Sequence, residues 1–217
     1  MSYGQNQPWG LQAIKTTTGA TWNGQTSPYL IQSGYANNIF KGDLVYLGSD
    51  GYINSIVDAG GGNQYQTYQA IGVFNGCSFR TSTATNPIDP SSPGRSYWPG
   101  GTVTFNNQDA TCDIIDDPNV IFNIQSDIAG VPFNAQGAVA SVVASFVSGT
   151  RVVSGNFNTG ISSMVLGGGT INSNILSTSN LRILRFVQTP GNIPGIPFNN
   201  VEVLIQNHSF MQRAAGI

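Results

Sequence analysis

The sequence predicts an all-β fold, an antiparallel β-barrel or β-sandwich, on three observations. Apolar runs are short, and most are bounded by Gly, Pro, Asn or Asp, the rhythm of strands and turns. No window keeps a 3.6-residue apolar stripe, because Gly, Asn and Thr interrupt each one. Residues 42–57 spell a hairpin, in which two apolar runs flank Gly48-Ser49-Asp50-Gly51. Gly51 takes positive φ without steric cost, and Asp50 tolerates it better than most residues.

In chain order, residues 1–38 read as an extended N-terminal arm, rich in Gly, Gln, Thr and Asn. Its apolar residues are isolated, so they serve as anchors rather than as a core. Trp9, Trp22, Tyr29 and Tyr35 are the candidate interface residues. Such side chains either drop into pockets of a neighbouring subunit or bury themselves in their own. Residues 39–217 form a β-rich domain, long enough for two β layers, 39–100 and 101–217. Strands are expected at 44–47, 52–57, 70–74, 103–105, 120–124, 181–187 and 201–205. In 181–187, Leu181, Ile183 and Arg185 share one face, and Arg182, Leu184 and Phe186 the other. In 200–207, Val201, Val203 and Ile205 oppose Glu202, Leu204 and Gln206. Residues 136–147 read as strand rather than short helix, from their β-branched content and the flanking Gly137 and Gly149. Residues 80–100, with Pro87, Pro90, Pro93 and Pro99, and 188–200, with Pro190, Pro194 and Pro197, read as turn-rich loops.

Composition narrows the function. Only 8% of the 217 residues are charged, the net charge is −2, and Glu202 is the single glutamate. An ordinary domain has about 25% charged residues. The 22 asparagines and the Gln, Ser and Thr residues do the wetting instead. No Lys/Arg run offers the footprint of a nucleic-acid binder. No 18-residue apolar run offers a membrane helix, and residues 1–10 lack the pattern of a signal peptide. Neither nucleic acid nor membrane is therefore an expected partner. Amides and hydroxyls desolvate more cheaply than ions, so the surface suits a subunit covered by neighbours in a large assembly.

No catalytic, metal or cofactor site is expected. The one histidine, His208, follows no G-x-S-x-G elbow and reads as a strand-end residue bonded to a neighbour. Asp109, Asp113, Asp116 and Asp117 lack the alternation and Gly turn of a calcium loop and read as turn residues. The glycine runs 60–62 and 167–169 lack the P-loop Lys and read as hairpin tips. Cys77 and Cys112 are expected as free thiols. Tyr97-Trp98-Pro99 reads as a plug closing one end of the core, with stacking on a sugar as the rival.

The order of motifs resembles the decoration, or cement, proteins of tailed-bacteriophage capsids. Phe40-Lys41-Gly42-Asp43-Leu44-Val45, then Asp50-Gly51-Tyr52-Ile53, then Ala70-Ile71-Gly72-Val73-Phe74, is similar to the "G-D-x-V … D-G … I-G-V" series of that family. Trp22-Asn23-Gly24, Phe74-Asn75-Gly76-Cys77, Tyr97-Trp98-Pro99, Asp116-Asp117-Pro118, Leu181-Arg182-Ile183 and Val201-Glu202-Val203 extend the likeness over about residues 19–208. The resemblance implies a non-enzymatic virion protein with β-tulip-like elements, a homotrimer on the outer surface of an HK97-type shell. Its partner would be the major capsid protein, whose capsomers it would clamp. A tail- or fibre-associated structural protein and a carbohydrate-binding β-sandwich are the alternatives. The chain is about twice as long as the smallest decoration proteins, so a single barrel does not account for it.

Overall fold

A computed structural model describes residues 6–56, 68–81, 94–140, 142–144, 146–147, 150–151, 155–167 and 180–212. The glycine run 60–62, Val57, Pro87, Pro90, Pro93, Gly149, Gly168 and Gly169 lie outside the described residues. The strands in chain order are β1 (Gln12–Thr16), β2 (Ser27–Ile31), β3 (Ile39–Phe40), β4 (Leu44–Leu47), β5 (Ile53–Ser55), β6 (Ala70–Ser78) and β7 (Tyr97–Trp98). They continue with β8 (Ala110–Ile115), β9 (Val120–Gln125), β10 (Val139–Ala140), β11 (Val142–Ala144), β12 (Phe146–Val147), β13 (Thr150–Arg151) and β14 (Gly155–Asn156). The last are β15 (Ile161–Ser162), β16 (Met164–Leu166), β17 (Leu181–Phe186), β18 (Asn200–Ile205), β19 (Asn207–His208) and β20 (Met211–Gln212).

Two open sheets face each other. The first has the order β1-β9-β18-β17-β10, all antiparallel. The second has the order β2-β8-β6-β19-β20, with β4 also on β6 and β5 on β4. Its pairs are antiparallel except for the short β6–β19 contact. Among the described residues neither sheet closes on itself, so of the two expected architectures the sandwich is the one formed. The sheets do not divide at residue 100, since β8 lies between β2 and β6. Two strands fall within residues 1–38: β1 is an edge of the first sheet and β2 an edge of the second.

The second sheet is covered on both faces. Leu44, Val73 and Ile115 meet Phe122, Ile124, Val201, Val203 and Ile205 of the first sheet in the inter-sheet core. Ile71, Phe74, Cys112 and Ile114 pack on the other side with Ile31, Ile39, Ile53 and Trp98. This double burial explains why β6 reads as a near-continuous apolar run rather than an alternating one. Gly72 in that strand is a close-approach position: a Cβ there would sit 2.3 Å from the Ile115 carbonyl oxygen. The hairpin at 48–51 forms as its residues predict, with Gly51 at φ +84° and its N–H bonded to the Gly48 carbonyl at 3.0 Å.

Two expectations are corrected. Residues 103–105 form no strand; a 3-10 turn occupies Phe105–Asn107, with Asn106 and Asn107 at φ +54°. Asparagine visits that region more readily than other side chains, so the polar pair overrides a three-residue apolar signal. In β17, a bulge between Ile183 and Arg185 shifts the register against β18. An extra residue reverses the alternation after it, so Phe186 joins Leu181 and Ile183 in the core and Arg185 turns out. Residues 136–147, read as strand, contain β10, β11 and β12.

The bulge places Arg185 beside Glu202. Glu202 is 8% exposed and accepts from Lys15 Nζ at 2.8 Å and from Arg185 Nε at 2.7 Å. One carboxylate thus ties β1, β18 and β17 together. Glu202→Gln is expected to lower the stability by about 1–3 kcal/mol, discounted because Arg185 is half-exposed. Urea unfolding checks it, and a midpoint equal to that of the wild type refutes it.

Candidate functional site

The Gly42–Asp43 pair stands where four segments meet. Gly42 has φ +97°, and a Cβ there would lie 2.7 Å from the Trp9 carbonyl oxygen, so glycine is required on two counts. Its N–H donates to the Phe74 carbonyl and its own carbonyl accepts from Leu11 N. Asp43 is fully buried. Its Oδ2 accepts from Phe40 N at 2.8 Å and its Oδ1 from Ser162 Oγ, which in turn accepts from Met164 N at 3.0 Å. Burial pushes the Asp43 carboxyl up to about 7, against the two hydrogen bonds that favour its charged form.

Beside this junction lies a cavity of about 460 Å³. Trp9, Leu11 and Ala13 form its N-terminal wall with Trp22; Val73 and Ile115 come from the second sheet. Polar groups reach it from Gln12, Lys41, Asn75, Ser96 and Thr159. The walls are pinned by backbone bonds: Leu11 N to Gly42 O at 2.9 Å, Lys41 N to Ser96 O at 2.8 Å and Ser162 N to Lys41 O at 2.9 Å. Trp9 Nε1 is buried, and among the described residues it meets no acceptor. A donor left so costs about 1–3 kcal/mol.

A second feature is an apolar end of the sandwich. The loop after β9 and the loop between β17 and β18 are bonded through Asn199. Its Oδ1 accepts from Ser126 Oγ at 2.6 Å and Val131 N at 3.0 Å, and its Nδ2 donates to Val131 O at 2.8 Å. Gly195 N to Val131 O and Phe198 N to Asp127 O add to the brace. On these fixed loops Ile128 is 74% exposed, Phe133 72% and Ile193 43%. Phe133 stacks on Phe186 with the rings 6.3 Å apart, which holds its ring in place.

Of the four candidate interface residues, the structure brings Trp9 and Trp22 together at the cavity. Tyr29 and Tyr35 stand apart from it, packed against the outer core of the second sheet. Tyr29 Oη donates to Asp116 Oδ2 at 2.9 Å, and burial with that bond pushes its phenol up. Tyr35 Oη accepts from Ser55 N at 3.0 Å. Trp98 is fully buried, with its Nε1 donating to Tyr35 O at 3.1 Å, so it offers no face to a sugar. Tyr97 stacks on Phe40 at 5.4 Å.

The remaining candidates have structural partners. His208 is buried at a strand end, and its Nδ1 accepts from Phe210 N at 3.1 Å. Asp117 accepts from Asn119 N in a turn, Asp116 from Ser27 and Tyr29, and Asp109 from Tyr52. Among the described residues no cluster of His, Cys, Asp and Glu could hold a metal ion. Cys77 and Cys112 face each other across β6 and β8 as free, buried thiols. Burial pushes the Cys77 thiol up to about 12 and that of Cys112 up as well, which keeps both protonated and unreactive.

Sequence reasoning missed Asn199, Phe133 and the place of Lys41 at the cavity. Phe133 had a signal, an aromatic in the polar turn Pro132-Phe133-Asn134. Asn199 had none, because one asparagine among 22 carries no mark of its burial. No protein-family model, no curated protein and no solved structure matches the chain.

Proposed function

We propose that this chain is a virion structural protein that decorates the outer surface of an expanded tailed-phage capsid and clamps neighbouring capsomers of the major capsid protein. It acts as a homotrimer and performs no catalysis. The observation that carries the reading is the apolar end: Ile128, Phe133 and Ile193 stand exposed on loops braced by a buried asparagine. Large apolar side chains held rigid in water mark a surface meant to be covered. The low charge supports the same reading, since a repeated contact with few ions avoids the cost of burying them. A ligand that binds only the expanded shell stabilises it by mass action, and three copies per site multiply weak contacts into avidity.

The test mixes purified protein with expanded, undecorated capsids. Saturable binding in threes, only weakly dependent on salt, is expected. Phe133→Ser combined with Ile128→Ser should weaken attachment at least about tenfold while the thermal midpoint of the free protein hardly moves, because both side chains are exposed. Unchanged attachment by that variant, or no binding by the wild type, refutes the reading.

A further inference from the structure

We infer that the cavity beside Gly42 is a binding site for an acidic sugar residue of a glycan. This goes beyond capsid attachment and uses different residues. The volume, about 460 Å³, suits a mono- or disaccharide. The lining divides as a pyranose divides. Trp9 and Trp22 supply indole surface, which stacks on the apolar C–H face of a sugar ring. Gln12, Asn75, Ser96 and Thr159 bring amides and hydroxyls to the lining, the groups that pair with ring hydroxyls.

One further observation points to the charge of the ligand. Lys41 is exposed at the cavity, and among the described residues no carboxylate pairs with it. Among the described residues no acidic side chain lines the cavity. In a chain with only eight Lys and Arg, one cation left at a tryptophan-lined opening selects a carboxylate-bearing ligand over a neutral one. The backbone bonds that pin the walls hold the site in shape before the ligand enters.

The experiment titrates the isolated protein with sialyllactose and with digalacturonate, and with lactose as the neutral control, reading tryptophan fluorescence. Both acidic sugars should quench the emission of Trp9 and Trp22 at micromolar to millimolar concentrations, while buried Trp98 keeps its signal. Lys41→Met should weaken the acidic sugars about tenfold and bring them level with lactose. Trp22→Ala should abolish quenching with an intact thermal transition. No response to either acidic sugar overturns the inference, as does a response that Lys41→Met and Trp22→Ala leave unchanged. Quenching by an acidic peptide where neither sugar acts would make the cavity a peptide site and overturn it too. No capsid enters this assay, so its failure is distinct from failure of the decoration reading.

Discussion

Trp98→Ala is expected to cost about 3–5 kcal/mol of folding stability. That is a large share of the roughly 5–15 kcal/mol that holds a domain folded. The reason is the position of the indole. Trp98 has no exposed surface and stands opposite Ile39 in the β3–β7 pair. It meets the Phe79 ring edge-on at 4.9 Å and packs in the cluster that covers the outer face of the second sheet. Truncation opens a cavity that the pinned backbone cannot close. The lost hydrogen bond adds little, because the Tyr35 carbonyl still accepts from Gly101 N at 2.7 Å. Trp98→Phe should therefore recover most of the loss. Urea unfolding measures both variants, and a Trp98→Ala midpoint close to that of the wild type would refute the placement of this side chain.

The second large effect is a dependence of stability on pH that Asp43 imposes. In the unfolded chain its carboxyl titrates near 3.8, and in the folded protein near 7, because burial penalises the charge. Between those values the folded state binds more protons than the unfolded one, so stability falls as pH rises. The full span is worth about 4 kcal/mol, and the step from pH 5 to pH 8 about 2–3 kcal/mol. Asp43→Asn imitates the protonated acid: its amide oxygen can accept from Phe40 N and its NH₂ can donate to Ser162 Oγ. The variant should match the wild type near pH 3, exceed it by about 1–2 kcal/mol at pH 5, and exceed it by about 4 kcal/mol at pH 8. Comparing the two proteins at each pH isolates Asp43 from His208, the single histidine. A wild-type profile that is flat over this range, or one that the variant reproduces, would show that the ionised carboxylate finds solvent.

Strand content was legible because alternation and turn residues are local signals. The hairpin at 48–51 needs only a glycine at the right place, and β18 shows its two faces in its own order of residues. The bulge in β17 was not legible, since nothing in Leu181-Arg182-Ile183-Leu184-Arg185-Phe186 records which residue its partner strand skips. The turn at Phe105–Asn107 was missed because a three-residue apolar pattern was weighed above two asparagines. Of the candidate site, Trp9 and Trp22 stood out as isolated aromatics. That they share one cavity while Tyr29 and Tyr35 do not depends on which sheet each segment joins.

The sequence by itself determined the all-β class, the weak charge, and the glycine that turns the hairpin at 51. These follow from composition and from local backbone sterics, which act over a few residues. Only the tertiary structure decided that β1 and β2 become edges of opposite sheets, that Asp43 is sealed from water, and that Lys41 stands at a tryptophan-lined opening. Those outcomes depend on contacts between segments far apart in the chain: Asp43 and Ser162 are separated by 119 positions, and Lys15 and Glu202 by 187. Burial, and the charge state it imposes, is a property of the packed layers and is written in no single stretch of the chain.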